Sequence, residues 1–153
     1  MLLTGARSYR AGAFHYAARQ LGIDVLPMVN MASALAEHWD HAEGVDFDEP
    51  GAVEAIAELA RQRAVNAVLA VDDSGTLIAA EVAQLLGLAH NSPESASAAS
   101  DKHRMRGRMA AAGVPCPWFR RFSTDDDLEI VAGQVPYPCV VKPLNLNGSR
   151  GVI

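Results

Sequence analysis

The chain has 153 residues, half of them hydrophobic, and a formal net charge of −5. That length holds one domain, or one domain and part of a second, and the apolar content can build a core, which excludes a disordered chain. The acidic balance argues against nucleic acid or a membrane surface as the main partner, and no apolar run approaches the roughly 20 residues that span a bilayer.

Met1–Thr4 reads as a buried strand closed by Gly5. Ser8 can cap a helix running to about Leu21, with Ala13, Ala17, Ala18 and Leu21 on one face. Gly22 ends it, and Asp24–Val29 is a second strand, which Pro27 places at or near a sheet edge. A strand, glycine turn, helix and strand make a βαβ opening, hence a parallel sheet. A short helix is expected within residues 31–43 and a short strand within 44–47. Residues 50–63 form a helix with Val53, Ile56, Ala57 and Ala60 on one stripe. Ala67–Val71 is a third clear strand, and Thr76–Leu86 is a helix stopped by Gly87.

Ser92 and Pro93 are the cap and first position of the next helix. Residues 95–100 are only Ala and Ser, and the domain seam belongs near 91–100. A basic helix from Lys102 to Ala112 ends at Gly113. An extended segment, 115–123, a helix over 125–132 and a strand, Tyr137–Lys142, complete the series.

Charge divides at the seam. Residues 1–100 carry 5 Lys+Arg and 13 Asp+Glu, whereas residues 101–153 carry 8 and 5. The basic part coincides with the run Cys139-Val140-Val141-Lys142-Pro143 followed by Asn147-Gly148-Ser149-Arg150-Gly151-Val152. An apolar strand ending in a lysine, with a glycine-flanked turn, can lay backbone N–H groups and a cation against a polyphosphate. The same lysine can instead snorkel to solvent. Cys116 and Cys139 lack metal or redox spacing; as reduced residues they point to the cytoplasm, and the N-terminus lacks the form of a signal peptide.

Asp72 and Asp73 follow a strand at the carboxyl edge of the sheet. They can hold a substrate amine or cap the following helix. Arg7, at the same edge, can bind a carboxylate. Arg104 and Arg108 share a helical face that Arg106 leaves. His15, His38, His41, His90 and His103 are scattered and form no metal set. Trp39 and Trp118 read as packing residues.

Three pieces in order, Ser100-Asp101-Lys102 opening a basic helix, Gly113-Val114-Pro115-Cys116-Pro117, and Pro138 to Pro143 with the glycine turn, resemble the ATP-grasp superfamily. The resemblance covers residues 91–153. Residues 1–90, with Asp72-Asp73-Ser74-Gly75-Thr76, are similar to the Rossmann-like domain that precedes the ATP-grasp module in carboxylate–amine ligases, closest to the amino-acid-ligase and carbamoyl-phosphate-synthetase-like branch. The implied fold is α/β: a Rossmann-like pre-ATP-grasp parallel sheet over residues 1–91, then the first, incomplete α+β part of an ATP-grasp domain over 92–153. By position, Lys102 and Lys142 resemble the two lysines that contact ATP phosphates. Asn147, Gly148, Ser149, Arg150 and Gly151 resemble the glycine-rich loop that covers those phosphates. The implied function is ATP-dependent joining of a small carboxylate, such as an amino acid, to an amine or thiol through an acyl phosphate.

The family's Mg²⁺ ligands and adenine site fall later in the module, so the metal is expected outside this chain, and the 153 residues are expected to be an inactive N-terminal part with an open apolar edge that invites a homodimer. No catalytic residue is assigned. Two other classes compete. A non-enzymatic Rossmann-like binding or dimerisation module needs no chemistry from these residues. An NAD(P)-binding oxidoreductase would need Gly-x-Gly-x-x-Gly, which is missing after Gly5.

Overall fold

Four short strands pair in parallel in the order β3-β2-β1-β4 in the computed structural model, which describes residues 1–41, 43–146 and 148–153. They are β1 (Leu2–Gly5), β2 (Pro27–Asn30), β3 (Gly44–Val45) and β4 (Leu69–Ala70). Parallel neighbours need crossovers. Helix α1 (Ala11–Gln20) joins β1 to β2, α2 (Ser33–His38) joins β2 to β3, and α3 (Ala52–Gln62) joins β3 to β4. Helix α4 (Asp73–Leu86) follows β4, then α5 (Pro93–Ser100), α6 (Lys102–Ala111) and α7 (Leu128–Gln134). The α/β class with a parallel sheet is therefore as the sequence implied. Among the described residues no helix is long and apolar enough to cross a membrane.

The residues divide into two compact units, Met1–Ala96 and Ser97–Ile153. In the first, Leu3 and Met28 pack against Ile56 and Ala57 of α3 and Val82 and Ala83 of α4, all fully or almost fully buried. The period-3.6 stripe of α3 reads through: Ile56, Ala57 and Ala60 are buried and Val53 half-buried. Gly87 takes the left-handed conformation at φ 66°, and the Leu88 amide donates back to the Ala83 carbonyl at 2.9 Å. This is the glycine stop that the sequence announces.

Pro27 lies near the sheet edge, as expected, because β2 is the strand next to the edge strand β3. The Val29 amide donates to the Glu43 carbonyl at 3.0 Å, so alternate amides of β2 face β3. Pro27 has that orientation, but it is the first residue of β2, and pairing with β3 begins only at Val29. The missing N–H therefore falls where no ladder bond is needed. Two expectations for this unit need correction. Ser8 does not cap α1; the residue before the helix is Arg10, without a side-chain cap. The supposed inner face of α1 is largely open. Ala13 and Ala17 are exposed, Ala18 is half-buried and Leu21 is 72% exposed. An alanine stripe offers little apolar area to drive burial.

In the second unit, Asp101 caps α6 by accepting the amides of His103 and Arg104, both at 2.9 Å. Asp127 caps α7 in the same way from Glu129 and Ile130. The segment 137–142 does not form a regular strand. It makes one antiparallel pair: Val141 and Ile153 exchange N–H···O bonds, both 2.9 Å. Two residues exchanging both bonds is the hydrogen-bonded pair of an antiparallel ladder. Val140 and Val141 remain about 60% exposed.

Candidate functional site

The strand order reverses between β1 and β4, so a crevice is expected outside the carboxyl ends of these two strands. Gly5 and Asp72 stand there. The Gly5 amide donates to Asp72 Oδ2 at 2.9 Å, and the Ser8 hydroxyl donates to Asp72 Oδ1 at 3.1 Å. Asp72 immediately precedes α4 but makes no side-chain cap to it. Its two oxygens instead tie the turn after β1 to the end of β4. Neither of the two roles read from the sequence describes this contact, in which the carboxylate spends both oxygens inside the fold. Arg7 is exposed at the same edge. Nearby, Arg10 Nε donates to the Tyr9 hydroxyl at 3.1 Å, and this bond raises the guanidinium pKa further.

The basic residues of the second unit do not act as one patch. Arg104 Nη1 donates to Ser97 Oγ at 2.7 Å, Arg106 is half-buried, and Arg108 is already engaged. Lys102 behaves differently. Its ammonium donates to the Leu144 carbonyl at 3.0 Å and the Leu146 carbonyl at 2.5 Å. Its backbone amide also donates to Leu144, at 3.3 Å. Lys102 opens α6, and its N–H is one of the first-turn donors that a helix cannot satisfy internally. The carboxyl of neighbouring Asp101 is held below its ordinary pKa, first by the Arg104 amide and then by that of His103.

The loop bound by Lys102 begins directly after Lys142-Pro143. Lys142 is exposed, and among the described residues its ammonium has no partner. The turn beyond is left-handed at Gly148 (φ 59°), Ser149 (φ 58°) and Gly151 (φ 66°). A Cβ on Gly151 would lie 2.9 Å from Pro143 Cγ, so the turn folds back onto the residue after Lys142. At Gly148 a Cβ would meet nothing within 4 Å, so the backbone there is open to a ligand. Arg150 is engaged, and Asn147 lies outside the described residues. The structure thus gathers Lys102, Pro143 and the turn around one loop. The sequence did not reveal that Lys102 bonds to main-chain carbonyls more than 40 positions away.

Among the described residues, no group of three His, Cys, Asp or Glu side chains stands close enough to hold a metal ion. Cys116 and Cys139 are free and half-buried. Trp39 and Trp118, read as packing residues, are 65% and 52% exposed. The rings of Trp39 and His38 meet edge-to-face, at 5.6 Å between centroids.

The family model described as the ATP-grasp N-terminal domain matches residues 14–90. An alanine–anticapsin ligase from Bacillus subtilis is 30% identical over 115 residues, covering 75% of this chain and 24% of that protein. Among solved structures, an L-amino acid ligase from Bacillus licheniformis superposes with a TM-score of 0.66 at 22% identity, covering 99% of this chain and 38% of that one. The biotin carboxylase domain of 2-oxoglutarate carboxylase from Hydrogenobacter thermophilus, solved as a dimer with MgADP, ADP and bicarbonate, gives 0.63 at 20% identity over 99% of this chain and 36% of its own. The chain therefore spans about a quarter of the ligase relative and less than two-fifths of either structural neighbour.

Proposed function

Because this chain belongs to the ATP-grasp family, we propose that it is the N-terminal part of an ATP-dependent ligase and that its second unit carries the first phosphate contacts. In this reading residues 1–91 are the pre-ATP-grasp domain and residues 92–153 begin the ATP-grasp domain. The observation that carries it is the convergence of Lys102, Lys142-Pro143 and the turn from Gly148 to Gly151 on one loop.

Phosphoryl transfer asks a protein mainly for charge neutralisation and positioning. Lys142, exposed and without a partner among the described residues, is the cation available to phosphate oxygens. Backbone N–H groups of the turn can follow the phosphates because Gly148 and Gly151 accept positive φ and Gly148 carries no side chain to block the approach. Ser149 and Arg150 border the same turn, and Asn147 is assigned to it by sequence alone. These residues suit the phosphates of ATP. They do not suit Mg²⁺, whose ligands are assigned to the remainder of the ligase. The complete protein joins a small carboxylate, an amino acid being the first candidate, to an amine or thiol through an acyl phosphate. This chain alone binds without turning over. A cytoplasmic protein that self-associates completes the reading.

The test is binding of Mg-ATP, ADP and NAD(P) to the chain, followed as ligand-dependent stabilisation, with Lys142→Met beside the unsubstituted protein. ATP and ADP should stabilise the chain, and Lys142→Met should weaken that effect about ten-fold or more. Preference for NAD(P), or nucleotide binding indifferent to Lys142→Met, refutes the proposal.

A further inference from the structure

We infer that Lys102 is a positioning residue: it fastens the loop after Lys142 and thereby sets where Lys142 and the glycine turn stand, a role separate from any phosphate contact of its own. An ammonium has three donors. Two of them are committed, to the carbonyls of Leu144 and Leu146. The Lys102 amide adds a third bond to the same loop through Leu144. One residue at the head of α6 therefore holds two carbonyls of a three-residue stretch, Leu144 to Leu146. That stretch separates Lys142-Pro143 from the turn that folds back on Pro143.

The chemistry favours this over a casual contact. Charge-assisted hydrogen bonds are stronger than neutral ones, and α6 gives the lysine a rigid base because Asp101 caps its first turn. A phosphate competing for the ammonium would have to displace a carbonyl or use the one remaining N–H. Lys142 carries no such commitment among the described residues. The two lysines thus divide the work: Lys102 orders the loop, and Lys142 meets the anion. Only the second half of that division rests on the phosphate-binding reading.

The experiment is NMR-detected amide exchange of this chain without nucleotide, comparing Lys102→Met and Lys102→Arg with the unsubstituted protein. The amides of Val141, Val152 and Ile153, which bond within the hairpin, report on the turn. Those of α6 report on the fold of the unit. Lys102→Met should accelerate exchange in the hairpin roughly ten-fold and leave α6 unchanged. Lys102→Arg, which keeps a multi-donor cation, should restore protection. Unchanged hairpin exchange, acceleration that spreads equally through α6, or failure of the arginine to restore protection overturns the inference. A subsequent Mg-ATP titration separates the two claims. If the unsubstituted chain binds no Mg-ATP while the exchange pattern holds, the phosphate-binding reading falls and the loop-fastening role stands.

Discussion

Replacing Gly44 by alanine puts a methyl where the fold has no room. An ideal Cβ at this position lies 2.3 Å from Ala36 Cβ and 3.0 Å from the Met31 carbonyl oxygen. Carbon atoms rest at about 3.5–4.0 Å, so the overlap with Ala36 exceeds roughly 1 Å. Neither obstacle can rotate away: one is the methyl of Ala36, the buried residue of the otherwise exposed α2, and the other is main chain. Gly44 is further held because its carbonyl accepts the Ser33 hydroxyl at 2.9 Å. Overpacking of this kind costs about 1–3 kcal/mol, and a contact this short with immobile atoms falls toward the upper end. Gly44→Ala should therefore lower the melting temperature by about 4–12 °C, from about 2–3 kcal/mol at roughly 2–4 °C per kcal/mol. Trp39 ends α2 and reports on it locally; Trp118→Phe leaves it as the single tryptophan, so urea unfolding followed by its fluorescence reads this unit. The companion Ala36→Gly alone should cost about 1 kcal/mol through helix propensity. Combined, the two substitutions should cost at least about 1 kcal/mol less than the sum of the single effects, because the second removes the closest clash made by the first. Additive losses would refute the reasoning.

The tie between β1 and β4 is tested by Asp72→Ala, which leaves the Gly5 amide and Ser8 hydroxyl without their partner and should cost about 2 kcal/mol in denaturant unfolding. Asp72→Asn should lose less than half as much, since its carbonyl can accept from Gly5 and its amide can donate to Ser8; equal losses would show that charge and not hydrogen bonding matters there. The cap of α6 should depend on pH. Folding lowers the Asp101 pKa from 3.8, so its contribution is complete above that value and disappears as the pH falls through the lower folded value. Amide protection at the start of α6 should decline over that acidic window and should be insensitive to pH there in Asp101→Asn.

Much of the fold was legible because its signals are local. The stripe on α3, the Gly87 stop and the Ser92-Pro93 start are each decided by atoms within about one helical turn; the Ser95 amide indeed donates to Ser92 Oγ at 3.1 Å. The cap at Asp101 was equally readable by its residue type, whereas Asp127 fell inside the helix expected over 125–132, which begins only at Leu128. What escaped it lies at long separation. Pro27 was expected near a sheet edge, but only the pairing register showed that its missing N–H falls before β3 begins. The exposed face of α1 depended on how little an alanine stripe gains from burial. The strand expected over 137–142 lacks a ladder because, among the described residues, only Val141 of it finds an antiparallel partner.

The amino-acid order alone settled the alternation of strands and helices, the glycine stops, the division of charge and the motif residues that resemble an ATP-grasp ligase. Each of these is a property of neighbours along the chain or of composition. Tertiary folding decided which groups meet: Asp72 with Gly5 and Ser8, and Lys102 with carbonyls 42 and 44 residues away. A carboxylate or ammonium looks the same in sequence whether it faces a ligand or the protein's own backbone. Only the closure of the chain in space supplies the partner, and with it the role.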